Sequence, residues 1–142
     1  MHVAETKVEV RYAETDQMGV VYHANYLVWM EVGRTKLIED LGFRYADMEK
    51  DGIISPVIDI AISYKKPVCY GETATVKTWV EQYDGLRVEY GYEIYTEAGE
   101  LAIVATSKHV CVTKDRFRPI SIRRVYPNWH QAYENAKKQQ SE

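Results

Sequence analysis

Cysteine is scarce: the chain holds only Cys69 and Cys111. They share no C-x-x-C or metal-ligand spacing, which excludes a disulfide framework and a cysteine-based zinc or redox site. Reduced thiols fit a cytoplasmic protein. The four histidines, His2, His23, His109 and His130, stand at no zinc-ligand spacing with one another or with the cysteines. No metal or other cofactor is expected. Phosphate-cradling and nucleophile-elbow motifs are missing as well: there is no G-x-G-x-x-G, no G-x-x-x-x-G-K-[ST] and no G-x-S-x-G. Nucleotide-hydrolysing and serine-hydrolase chemistries fall away. No apolar run approaches the roughly 20 residues a membrane helix needs, and the chain opens Met-His-Val-Ala-Glu rather than on a basic and then apolar targeting segment. No membrane span is expected. A net charge of -3 gives no basic surplus to hold nucleic acid.

What is present reads as one globular domain over 1–142, with 46% hydrophobic residues and neither repeats nor low-complexity tracts. Residues 5 to 13 alternate, with Val8, Val10 and Tyr12 on one face and Lys7, Glu9 and Arg11 on the other, as a half-buried strand requires. From Asn25 to Leu41 the period lengthens. Tyr26, Met30, Gly33, Leu37 and Leu41 form one helical stripe, with Asn25 as the expected cap and Gly42 past the end. Glycine inside a helix costs about 1 kcal/mol relative to alanine, so Gly33 predicts close approach to another backbone, a sheet. Four strands are then expected at 57–64, 72–83, 86–96 and 101–113, joined as a long meander through Asp84-Gly85 and Glu97-Ala98-Gly99-Glu100. The last, apolar or small on both faces, reads as a central strand covered on both sides. A polar turn at Lys50-Asp51-Gly52 precedes them, and a helix over 127–138 begins with proline. One helix on one face leaves the other open, with Trp79 and Tyr95 to be placed, and predicts self-association.

The chemistry concentrates between Tyr12 and Tyr26, where a strand runs into a loop bearing a carboxylate, a glycine and a histidine, and the loop runs into the helix. A helix start carries backbone N–H groups without intrahelical partners, which can polarise a substrate carbonyl. Asp16 is the candidate carboxylate, although an isolated loop aspartate is most often a turn former. Gly19 permits the turn. His23, at the helix mouth, offers its side chain for orientation and its amide for an oxyanion, against the plainer reading of a solvated polar residue. Tyr12 is by default a strand core residue whose hydroxyl could reach the same place. Lys65, Lys66 and the Arg116–Arg124 stretch read as a solvated edge or as phosphate contacts.

The run Thr15-Asp16-Gln17-Met18-Gly19-Val20-Val21-Tyr22-His23-Ala24-Asn25-Tyr26, followed by Glu31 and Gly33-Arg34-Thr35, resembles the hotdog-fold acyl-CoA thioesterases of the 4-hydroxybenzoyl-CoA thioesterase type. It is most similar to the short-chain branch associated with the Tol-Pal system. The likeness extends from Val8 to Thr113 and includes Tyr64-Lys65-Lys66-Pro67 and Tyr70-Gly71-Glu72. It implies an α+β hotdog fold in which a long antiparallel sheet wraps a central helix. It further implies homodimers that join their sheets, often paired into homotetramers, with active sites at the interface. The implied substrate is an acyl-CoA, cleaved to a carboxylic acid and free coenzyme A. On this resemblance Asp16 is the catalytic carboxylate, as nucleophile or as general base on water; the His23 amide polarises the carbonyl, and Tyr12 and the His23 ring assist. Gly19, Val21, Tyr22 and Asn25 are expected to line the substrate, with Lys65, Lys66 and Arg118 as candidates for the coenzyme phosphates. The C-terminal helix inherits no role, and the acyl group is not legible. Two alternatives stay open: a hotdog hydroxyacyl-thioester dehydratase, and a non-catalytic acyl-CoA-binding or scaffold protein.

Overall fold

The computed structural model describes residues 1–139. In chain order its elements are β1 (Ala4–Glu9), α1 (Tyr26–Asp40), α2 (Tyr45–Lys50), β2 (Ile53–Ile54), β3 (Val57–Tyr64), β4 (Thr73–Tyr83), β5 (Arg87–Tyr95), β6 (Leu101–Val110), β7 (Val112–Thr113), α3 (Ile122–Val125) and α4 (Pro127–Ala136). Five strands make one antiparallel sheet in the order β1-β4-β5-β6-β3, and β2 pairs with β7 in a short ribbon.

The long helix α1 lies across the inner face of this sheet because its apolar stripe has nowhere else to go. Tyr26, Trp29, Met30, Leu37 and Ile38 are buried against Val76 and Val80 of β4 and Val88, Tyr90, Tyr92 and Ile94 of β5. Gly33 marks the closest approach. A Cβ there would collide with the Thr78 hydroxyl and come within 3.0 Å of Val76 Cγ1, so only glycine lets the helix seat this deeply. Past the helix, Gly42 takes the left-handed conformation at φ 94°, as the sequence suggested. This is the hotdog architecture, an antiparallel sheet wrapped around one helix.

Several expectations are corrected. The four later strands are not a simple meander: β3 skips β4 and pairs with β6, which leaves β3 at one edge of the sheet and β1 at the other. The predicted strand over 101–113 breaks at Cys111, where Val112–Thr113 turns to meet β2. Nor is it covered on both sides, since Val104 and Lys108 face solvent. β1 ends at Glu9, and Tyr12 leaves the sheet for a 3-10 turn, 78% exposed rather than in the core. Trp79 and Tyr95 are half-buried on the outer face. Trp79 lies over Gly91, and Lys77 sits 5.0 Å above the Tyr95 ring. The exposed apolar side chains are instead Val57, Ile58 and Ile60 on the β3 edge and Leu27, Val28 and Val32 on α1.

The C-terminal helix ends at Ala136, two residues earlier than predicted, and packs Trp129 flat on Phe43 at 4.9 Å. With α2 and α3, neither foreseen as a helix, it closes the end of the inner face beyond α1. Among the described residues no helix is long and apolar enough to cross a membrane.

Candidate active site

The loop after β1 is a hairpin in miniature. Thr15 bridges to Val21, the Asp16 amide donates to the Val20 carbonyl at 2.9 Å, and the Gly19 amide donates to the Asp16 carbonyl at 3.1 Å. Gly19 sits at φ 80°, a conformation that a side chain would strain. The returning limb is held on both sides: Val21 N–H donates to Val68 O and Tyr22 N–H to Glu14 O, both at 2.8 Å. The turn therefore holds Asp16 on a limb whose partner ends at the first turn of the helix. Asp16 Oδ1 accepts from the Met18 amide at 2.8 Å, the local turn-forming bond that such residues favour. Its second oxygen, Oδ2, has no protein donor among the described residues.

A 3-10 turn over His23–Asn25 leads into α1. The amides of His23 and Ala24 find no protein acceptor among the described residues. Two donors are thus open at the positive end of a 15-residue helix. The Tyr64 hydroxyl, from the end of β3, donates to the His23 carbonyl at 3.2 Å. The His23 ring lies between Tyr22, 4.4 Å away, and Tyr64, 6.5 Å away. Tyr12 and Tyr70 meet edge-on at 5.6 Å beside the loop. Tyr12, Met18, Tyr22 and Tyr64 are exposed large side chains, so the single chain leaves this site open.

Asn25 does not cap the helix. It is itself helical, and its side-chain amide donates to the Glu14 carbonyl at 3.1 Å. That carbonyl also takes the Tyr22 amide, so Glu14 joins the two limbs to the helix start. Its side chain, 3% exposed, does more. Glu14 accepts from the Arg11 amide at 2.8 Å, from the Trp29 indole at 2.9 Å and from the Arg11 guanidinium at 3.4 Å. Burial pushes its pKa up, but these bonds outweigh burial and hold the carboxyl below its usual 4.5. Sequence reading missed Glu14; its place two residues before Asp16 was the available signal.

Of the other expected residues, Val21 is buried and supports the loop from beneath. Lys65 and Lys66 follow β3, where both amides donate to Ala102 O and the Lys66 ammonium pairs with Glu100. Arg118 lies past the opposite end of β6, its amide on Thr113 Oγ1 at 3.1 Å. Ten residues of strand at about 3.3 Å each separate these positions by roughly 30 Å. One chain does not bring the three cations together.

A second polar constellation, also missed, lies along α1. Arg34 Nη1 donates to the Tyr92 hydroxyl at 3.1 Å, Tyr92 to Ser107 Oγ at 2.7 Å, and Ser107 to His109 Nε2 at 2.8 Å. His109 Nδ1–H then faces the Ser55 carbonyl at 3.4 Å. Every donor points the same way if His109 is neutral, and burial followed by the nearby Arg34 charge lowers its pKa to about 4. The only hint in sequence was a pair of polar residues, Ser107 and His109, on the inner alternation of an otherwise apolar strand.

The thioesterase-like superfamily profile matches residues 10–129. A Bacillus subtilis (strain 168) protein named "Putative acyl-CoA thioesterase YneP" is 67% identical over 97% of this chain and 100% of its own length. The "1,4-dihydroxy-2-naphthoyl-CoA hydrolase" of Thermosynechococcus vestitus is 27% identical, covering 84% of this chain and 83% of its own. Among solved structures, a DHNA-CoA thioesterase from Staphylococcus aureus superposes with a TM-score of 0.93 at 52% identity, over 95% of this chain and 91% of that one.

Proposed function

This chain belongs to the thioesterase-like superfamily, and on that premise we propose that it hydrolyses an acyl-CoA thioester to a carboxylic acid and free coenzyme A, with Asp16 as the catalytic carboxylate. What supports the reading is the hairpin, which puts Asp16 on a limb paired with the one that runs into a helix start with two open amides. With Oδ1 engaged by Met18, Oδ2 is the oxygen available for nucleophilic attack or for activating a water. The His23 and Ala24 amides receive the negative charge that develops on the carbonyl oxygen, an effect worth about 10²- to 10³-fold per donor in enzymes generally. Gly19, Tyr22 and the His23 ring shape the rim around the thioester. Asn25 and Val21 hold that rim in place, and Tyr12 stands at its edge.

The acyl group is aromatic on this reading, of the dihydroxynaphthoyl kind after which two of the relatives are named. The chain acts as one hotdog domain in the cytoplasm; of the expected span 1–142, residues 140–142 lie outside the described residues. It assembles as a homodimer or homotetramer through the β3 edge, where Val57, Ile58 and Ile60 lie open beside unpaired backbone groups. Lys65, Lys66 and a partner's Arg118 contact the coenzyme phosphates.

A thiol-release assay across short, long, branched and aromatic acyl-CoA substrates tests this. Turnover highest on aromatic acyl-CoA supports the reading. Binding of acyl-CoA without release of free coenzyme A would instead support a non-catalytic binding protein.

A further inference from the structure

The turn that carries His23 is closed by its own neighbourhood. The Asn25 amide donates to the Tyr22 carbonyl at 2.9 Å, the Tyr22 amide to the Glu14 carbonyl at 2.8 Å, and the Asn25 side-chain amide to that same carbonyl at 3.1 Å. These bonds hold both flanks of the peptide unit between His23 and Ala24. The Tyr64 hydroxyl adds a further bond, to the oxygen of that unit at 3.2 Å, and no other side chain among the described residues donates there. With the flanks already held, that bond has another use.

Its donor comes from a different part of the fold. Tyr64 ends β3, where it pairs with Ile103 of β6, and the Lys65 and Lys66 amides that follow both donate to the Ala102 carbonyl. The ring meets Tyr26 edge-on at 5.9 Å and His23 edge-on at 6.5 Å. The sheet, and not the loop, therefore sets where the hydroxyl lies.

Resonance ties the C=O and the N–H of one peptide unit together. A donor on the oxygen draws electron density from the nitrogen, and the N–H becomes a stronger donor in turn, as in any hydrogen-bonded chain. In this unit the oxygen belongs to His23 and the N–H to Ala24, one of the two amides left open at the helix start. Tyr64 thus stands behind the very amide that faces the reaction.

We infer that Tyr64 is a positioning residue for the oxyanion: through the His23 carbonyl it orients and polarises the Ala24 amide, and so strengthens that amide's bond to the carbonyl oxygen as negative charge develops there. The inference rests on the thioesterase reading of the loop. Tyr64 acts in it through the peptide and makes no contact with the substrate.

One oxyanion donor is worth about 10²- to 10³-fold in rate, and a preceding bond in a chain strengthens the next by about 10–30%. Applied to the logarithm of the rate, these figures give roughly 2- to 8-fold in kcat. KM should hardly move, because the gain appears only as the charge forms. Tyr64→Phe keeps the ring and, since the side chain is exposed, strands no buried group. It is expected to lower kcat by that factor with KM and the melting temperature unchanged. A ring-fluorinated tyrosine at this position, a stronger donor than tyrosine, should raise kcat above wild type at about pH 7, which a merely structural prop would not do.

The bond can also be read without turnover. His23-Ala24 is the only His-Ala step in the sequence. Intact protein labelled with carbonyl-¹³C histidine and ¹⁵N alanine therefore gives a single carbonyl–amide cross-peak. Its carbonyl resonance should move upfield in Tyr64→Phe and downfield with the fluorinated ring. An unmoved resonance, an unchanged kcat in Tyr64→Phe, or a change confined to KM, which would make Tyr64 a substrate contact, each overturns the assignment. Failure of the thioesterase reading looks different: Asp16→Ala would turn over like wild type while the cross-peak still responded to Tyr64→Phe.

Discussion

Glu14 supports the catalytic hairpin, and removing it should be felt in both stability and turnover. Glu14→Ala deletes a buried carboxylate that receives three donors. The Arg11 amide and guanidinium can turn to water, and because the Arg11 side of the pair is exposed its loss costs no more than about 1 kcal/mol. The Trp29 indole cannot, because Trp29 is buried in α1; stranding its N–H costs about 1–3 kcal/mol. The expected loss is therefore about 1–4 kcal/mol in urea unfolding followed by circular dichroism. Trp29 is also the link between the hairpin and the helix, so the loop should drift relative to the His23 and Ala24 amides. Misplacement of about 1 Å can cost about 10²-fold in rate. We expect kcat to fall 10- to 100-fold, with a smaller change in KM. Because the pKa of Glu14 is held below 4.5, its contribution is present above that pH and is lost as pH falls through the folded value. A Glu14→Ala protein within about 0.5 kcal/mol of wild type and with unchanged kcat would refute the reasoning; surface changes fall in that range.

Gly33→Ala should destabilise by about 1–2 kcal/mol despite alanine's better helix propensity, since the new methyl meets Thr78 and Val76; thermal melting checks this. His109 supplies a pH dependence of definite sign. Its folded pKa of about 4 lies below the unfolded 6.5, so the unfolded state binds the extra proton between those values and stability falls as pH drops from 6.5 toward 4, by about 3 kcal/mol in total. Unfolding titrations of wild type and His109→Gln at pH 7 and 4.5 would show it, with the variant losing most of the slope. Alanine at Lys65, Lys66 and Arg118 should raise KM with little change in kcat, because phosphate contacts form equally in ground and transition states. An unchanged KM would return these residues to a solvated edge.

Much of this was legible in the chain. Helix α1 was readable because its three- and four-residue apolar spacing and Gly33 pointed to the same face, and local pattern agreed with packing. The hairpins at Asp84-Gly85 and Gly99 were readable from turn chemistry, which is local too. The position of β3 was not, since nothing in Val57–Tyr64 distinguishes a neighbour in β4 from one in β6; that choice is made by the whole sheet. Tyr12 was misplaced because the alternation of β1 continues in sequence beyond the point where Glu9 leaves the ladder. At the site, Asp16, Gly19 and His23 stood out by residue type and spacing, whereas Glu14 and Tyr64 act through bonds that exist only once the loop is folded. Arg34, Tyr92, Ser107 and His109 come together from one helix and two strands, and no spacing announces them.

The central claim is that Asp16 performs the chemistry at the helix start. Steady-state thiol release by Asp16→Ala on an aromatic acyl-CoA, with folding and assembly checked by circular dichroism and light scattering, tests it most directly. The variant should remain folded and assembled, with kcat lower by at least about 10³-fold, as expected when the attacking or proton-abstracting group is removed. A folded Asp16→Ala enzyme turning over within tenfold of wild type would contradict it.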